Sequence, residues 1–205
     1  LMKDLTSWKT RPNRKPLILQ GARQVGKTWL ALELGRMEFS QVAHVVFLDN
    51  EPMKAVFEGS LNPTRLLAAI AAETSTRAGD SDVLIVLDEV QECPRALTAL
   101  KLFCEQRPDT PIIAAGSLLG VALHNGVSFP VGKVEHLDVY PMTFYEYLRA
   151  TDATLADLLD ASDLTLVDAY SERFTDALRS YYYVGGMPEA VAAYAETGDY
   201  AETRK

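Results

Sequence analysis

One stretch constrains the fold more than any other: G-A-R-Q-V-G-K-T at residues 21–28, which satisfies G-x-x-x-x-G-K-[ST]. That pattern has chemical meaning only between a buried strand and a helix. Both flanks are present, an apolar run at 17–19 before it and a helical pattern over 27–37 after it. Gly21 and Gly26 allow backbone angles that side chains forbid, so successive N–H groups can turn inward toward phosphate oxygens. The helix that begins at the loop adds the favourable potential of its N-terminus. Gly21, Ala22, Arg23, Gln24, Val25, Gly26, Lys27, Thr28 and Trp29 therefore form the candidate nucleotide cradle. In it Lys27 reaches the β- and γ-phosphates and the Thr28 hydroxyl completes the coordination of Mg²⁺. Arg23 and Gln24 are the least determined members, either surface residues or residues facing a neighbouring subunit. The competing reading, an ordinary turn with a solvent-facing lysine, is disfavoured by the two flanks.

A phosphate cradle binds without specifying hydrolysis, so a second carboxylate matters. V-L-I-V-L-D-E at residues 83–89 places Asp88 at the carboxyl end of a buried strand, where it can hold Mg²⁺ through a water. Glu89 follows and is positioned to orient and deprotonate an attacking water. Adjacent acids alone are commonly a solvated turn; their distance from the cradle, about sixty residues, changes that reading. The interval leaves room for an extra strand and helices, as in NTPases that set a catalytic Glu beside the magnesium Asp. Next, A-A-G-S at 114–117 ends an apolar run in Ser117, a candidate to contact the γ-phosphate or the attacking water. Ser117 equally suits a helix N-cap for a segment from Leu118 onward, and one residue can do both.

Apolar runs at 17–19, 45–48, 83–87, 112–115 and 134–139 alternate with helical patterns at 27–37, 64–77 and 94–107. That alternation predicts an α/β fold, a doubly wound parallel sheet of the P-loop NTPase kind. The runs at 17–19 and 83–87 are apolar at consecutive positions, which predicts central strands covered on both faces. In 94–107, Leu97, Leu100, Phe103 and Cys104 share one face, expected to lie on the sheet. After Pro141 only helices are expected, at 143–149, 155–159, 168–182 and 188–194, with Tyr170, Phe174, Ala177, Leu178 and Tyr181 on one amphipathic face. The expected division is an ATPase core at 1–141 and a small helical lid at 142–205.

Composition narrows the partners. A net charge of −8 and a pI of about 4.9 repel polyanions, so nucleic acid is not an expected partner of this stretch of chain. The basic cluster Lys9, Arg11, Arg14 and Lys15 reads as a solvated lead-in to the first strand. Residues 110–132 hold no Asp, Glu, Lys or Arg, yet Pro111, Gly116, Gly120, Asn125 and Pro130 break them up, and no membrane span is expected. No signal peptide opens the chain. Cys93 and Cys104, read as about three turns apart on one helix, are not expected to bridge, and together with the lack of C-x-x-C they suit a reducing cytoplasm without structural zinc. Leu1 is not an initiator and the chain stops just after a helical pattern, which suggests a fragment.

L-I-L-Q-G-A-R-Q-V-G-K-T, L-D-E-V-Q, A-A-G-S, G-K-V-E-H-L-D-V-Y-P-M-T-F-Y-E-Y-L and Y-Y-V-G-G-M-P-E-A-V, in that order, resemble the prokaryotic AAA+-like ATPase family whose members join an ATPase core to a C-terminal nuclease-like domain of unknown function. The resemblance runs from about Trp8 to Val191, and the last two segments are its most specific part. It implies ATP binding and hydrolysis, a helical lid, and a C-terminal domain that this chain lacks. One position departs from the family: Gly132-Lys133 stands where members usually carry G-R, and Lys keeps the charge but not the bidentate fork. Lys133 is thus either a weakened γ-phosphate sensor or a salt-bridging surface residue. Arg173 and Arg179 read as solvated, and Tyr181, Tyr182 and Tyr183 point three ways, so packing accounts for them better than base stacking.

The expectation is Mg²⁺-dependent ATP hydrolysis that drives a conformational change, with ATP as the ligand and self-association or the missing domain as further partners. The alternative is a nucleotide-dependent switch with negligible turnover. A small-molecule kinase would need an acceptor pocket and a basic lid, and the acidic helical part offers neither.

Overall fold

The computed structural model describes residues 1–117, 132–161 and 163–204. Five strands, β1 (Leu17–Gln20), β2 (Gln41–Val46), β3 (Val83–Asp88), β4 (Ile112–Ala115) and β5 (Glu135–Asp138), form one parallel sheet in the order β2-β3-β4-β1-β5. The unbroken apolar runs are the interior strands: β3 and β4 are buried at every position and β1 at all but Gln20. The edge strands β2 and β5 are covered at alternate positions or less, and their sequences Q-V-A-H-V-V and E-H-L-D mix polar with apolar residues accordingly.

Among the described residues, five helices accompany the sheet: α1 (Met2–Thr10), α2 (Lys27–Glu38), α3 (Glu51–Glu58), α4 (Pro63–Thr74) and α5 (Arg95–Gln106). On one face, Phe57, Leu66, Ile70, Leu97, Leu100 and Phe103 pack with Val45, Ile85 and Ile112, and Phe47 meets Phe57 edge-on at 5.2 Å. The chain is doubly wound because α2 packs on β2, β3 and β4 as well, close enough that a Cβ on Gly35 would lie 2.3 Å from Val42 Cγ2.

Several elements depart from the sequence expectation. The strand expected at 45–48 begins at Gln41 and ends at Val46. The helix expected to reach 77 ends at Thr74, where Ser75 takes a left-handed conformation. α1 and α3 were not expected: each buries only two side chains, Leu5 with Trp8 and Met53 with Phe57, too few to make a period. Cys93 lies before α5, after a short 3-10 turn (Val90–Glu92), so the two cysteines do not share a helix; neither is bridged. Three members of the basic cluster are tied down, although Arg11 stays half exposed. Lys9 pairs with Glu38 at 3.0 Å, Arg11 pairs with Glu135, and Arg14 donates to the carbonyls of Lys9 and Asp109.

Contacts divide the chain into two compact units, Leu1–Val139 and Tyr140–Lys205. In the second, helices at Phe144–Thr151, Ala153–Asp160, Leu164–Ala169, Ser171–Val184 and Pro188–Thr197 enclose two small cores. Tyr147, Val184 and Val191 centre one, with Tyr181 and Tyr194 against them; Leu148, Leu155 and Ala156 centre the other, with Phe174 and Ala177. The single helix expected at 168–182 is two, separated at Tyr170. Tyr181 packs inward while Tyr182 is 76% exposed, so the tyrosine triplet does diverge. Gly186 is held by backbone: its carbonyl accepts from the Met142 amide at 2.6 Å, and a Cβ there would sit 2.3 Å from the Met142 oxygen. Among the described residues no helix is long and apolar enough to cross a membrane. The expected helix from Leu118 onward, and most of the uncharged segment at 110–132, lie outside the described residues.

Candidate functional site

The parallel order brings the carboxyl ends of β1 and β3 to the same edge of the sheet, with β4 between them. From β1 the chain turns at Gly21 (φ 151°), crosses Gln24 (φ 62°), and enters α2 through Gly26 (φ 89°). Gly21 has no room for a side chain, since a Cβ would lie 2.1 Å from the Val139 carbonyl oxygen. Ala22, Arg23 and Gln24 are exposed, Val25 is buried beneath them and anchors the loop, and Trp29 is 63% exposed on the first turn of α2.

Lys27 is buried, and its ammonium donates to the carbonyls of Gly21 at 3.1 Å and Ala22 at 2.5 Å. Loss of hydration is the largest influence on it and draws its pKa below the ordinary lysine value, against the opposing pull of Glu89 and Asp88. A positive charge held this way gains from an anion placed in the loop.

Asp88 ends β3 and is buried. Its Oδ2 accepts from Thr28 Oγ1 at 2.8 Å and stands 3.4 Å from His44 Nε2, while its Oδ1 accepts from the Glu89 amide at 2.9 Å. Burial, the largest influence, pushes the carboxyl up; hydrogen bonds from His44, Thr28 and the Glu89 amide outweigh it and hold the group below the usual carboxylate range. The charged form is therefore the stable one at neutral pH. Thr28 and Asp88 thus offer two hard oxygen donors at one point, which fits Mg²⁺, an ion that takes few protein ligands and fills the rest of its octahedron with phosphate oxygens and water. Among the described residues no group of three or more His, Cys, Asp or Glu could hold a metal without such help.

Glu89 follows with a left-handed backbone (φ 51°, ψ 44°), and its Oε2 accepts from the Gln91 side-chain amide. Ser117 is buried just beyond β4, next to β1 and β3 in the sheet order. Lys133 is engaged elsewhere: its ammonium pairs with Glu105 at 3.0 Å. Arg173 pairs with Asp152 and Arg179 with Asp176, both within the second unit. Two site residues escape sequence reasoning, His44 and Gln91. His44 falls inside a strand whose polar residues obscure it, and Gln91 follows the acid pair in L-D-E-V-Q, where residue type alone points to no chemistry.

The family model of an AAA domain matches residues 13–148, more than half of the chain. No curated protein matches the chain. Among solved structures it is similar to C. elegans PCH-2, at 17% identity and a TM-score of 0.44, over 78% of this chain and 46% of that one. It is similar also to the Aeropyrum pernix ORC1 protein, solved in complex with DNA, at 18% identity and a TM-score of 0.43, over 100% of this chain and 59% of that one. The chain spans between 46% and 59% of the length of these two proteins.

Proposed function

The chain belongs to the AAA domain family, a nucleotide-binding family, and from that premise we propose that it hydrolyses ATP in a Mg²⁺-dependent reaction that drives a conformational change. The observation that carries this reading is the 2.8 Å hydrogen bond from Thr28 to Asp88, which joins the phosphate loop to the acidic strand end across sixty residues of sequence. The loop amides and Lys27 bind the phosphates, the ammonium exchanging its bonds to Gly21 and Ala22 for phosphate oxygens. Thr28 and Asp88 would hold Mg²⁺, which would supply neutralising charge to the phosphates. Glu89 accepts a proton from water as the water oxygen bonds to the γ-phosphorus and the bond to the bridging oxygen breaks, releasing ADP. Trp29 and Ser117 extend the site toward the nucleotide and the γ-phosphate. Motif resemblance supports the wider part of the reading, a prokaryotic protein whose helical unit at 142–205 serves as a lid, with a nuclease-like domain following it and self-association available to complete the site; the sparse cysteines support a cytoplasmic setting.

Phosphate release and ATP binding test the reading together. Glu89→Gln lowers kcat by about 10²- to 10⁴-fold and leaves ATP binding intact, whereas Lys27→Ala weakens ATP binding itself. A parent that releases phosphate no faster than Glu89→Gln is a nucleotide-dependent switch instead.

A further inference from the structure

The turn after β3 carries a side chain that the proposed reaction leaves without a task. Val90 is fully buried, and the amides of Glu92 and Cys93 close the turn on the carbonyls of Glu89 and Val90 at 2.9 and 3.1 Å. That fold-back brings Gln91 Nε2 onto Glu89 Oε2. Glu89 is fixed at its other end too, by a left-handed backbone that disfavours a non-glycine residue and by the hydrogen bond its backbone N–H donates to Asp88 Oδ1. The remaining polar atom of the amide, Gln91 Oε1, is buried with no hydrogen-bond partner among the described residues. An orphaned buried acceptor opposes folding, and an apolar side chain of the same shape would not carry that cost. Stability therefore does not explain a glutamine here, and its contact with Glu89 does.

We propose that Gln91 is a positioning residue for Glu89. By donating to Oε2 it selects one rotamer of the carboxylate and leaves Oε1 of Glu89 to take the proton from the attacking water. The role rests on the hydrolytic reading above. Without Gln91 the carboxylate samples other rotamers, and the fraction of time it spends in line with water falls.

The test compares steady-state ATP hydrolysis by the parent, Gln91→Met, Gln91→Ala and Glu89→Gln, together with each Gln91 variant in the Glu89→Gln background. Methionine is nearly isosteric and removes the orphaned acceptor, so Gln91→Met keeps the fold, and Gln91→Ala serves should it not. The expected result is a fall in kcat of about 10- to 100-fold with KM for ATP changed less than about twofold. The Gln91 substitution should cause no further loss once Glu89 is already Gln, whereas a merely structural role would lower both backgrounds alike. Unchanged or raised kcat in both Gln91 variants overturns the role of Gln91 and leaves hydrolysis standing. A parent no faster than Glu89→Gln overturns hydrolysis and this role with it.

Discussion

At Gly21 two demands coincide. The loop needs a backbone that turns its amides inward, and the end of the sheet needs space, because the Val139 amide bonds to the Gln20 carbonyl at 2.8 Å and brings the Val139 oxygen against the glycine. Only the first demand is visible in the motif. Gly21→Ala is therefore expected to destabilise by about 3 kcal/mol or more, combining a forbidden φ with a backbone clash. Gly198→Ala, in the left-handed region at φ 67° and ψ 8° and with nothing among the described residues within 4 Å of its Cβ, should cost only about 1–2 kcal/mol; urea denaturation of the two variants checks the contrast. Cys93 supplies another residue-scale prediction. Burial drives its thiol pKa up, so at pH 8 less of it is thiolate than in the unfolded chain, and access is lost as well. Native protein should alkylate at Cys93 more than about tenfold slower than urea-unfolded protein, read by peptide mass spectrometry.

Among the elements, legibility follows burial. β1, β3 and β4 are covered on both faces, so every position but the terminal Gln20 and Asp88 is apolar and each strand is plain in the sequence. β2 is an edge with Gln41 and His44 in it, and the apolar run that looks like its centre, 45–48, continues past its end into Phe47 and exposed Leu48. Several helix starts rest on a single side chain. Asn62 Oδ1 accepts from the amides of Thr64 and Arg65 at 3.0 and 3.3 Å ahead of Pro63, so Asn62→Ala should cost about 1 kcal/mol in chemical denaturation without altering ATP binding. α1 is secured mainly from outside its own period, by Trp8 Nε1 donating to the Lys15 carbonyl at 2.8 Å, and for that reason its pattern does not announce it.

In the molecule as a whole, order should grade from the sheet outward. The interior strands are buried at every position but Gln20, whereas Leu164–Ala169 buries no side chain and Ser171–Val184 buries only Val184. Native-state hydrogen exchange is expected to protect β3 and β4 amides most and Leu164–Ala169 least among the helices. Added ATP at about 100 times its Kd should raise the protection of the globally exchanging amides by about 2.7 kcal/mol. The sequence by itself determined the glycine-bounded loop at 21–28, the three interior strands and the acid pair at the end of one of them, because each depends on a few adjacent residues whose types are dictated locally. Only the tertiary structure decided that Thr28 meets Asp88, that His44 and Gln91 join them, that Lys133 is engaged by Glu105, and that Gly21 must admit Val139. Most of those contacts follow from the order β2-β3-β4-β1-β5, which sets distant segments side by side, and local residue patterns carry no record of which strands become neighbours.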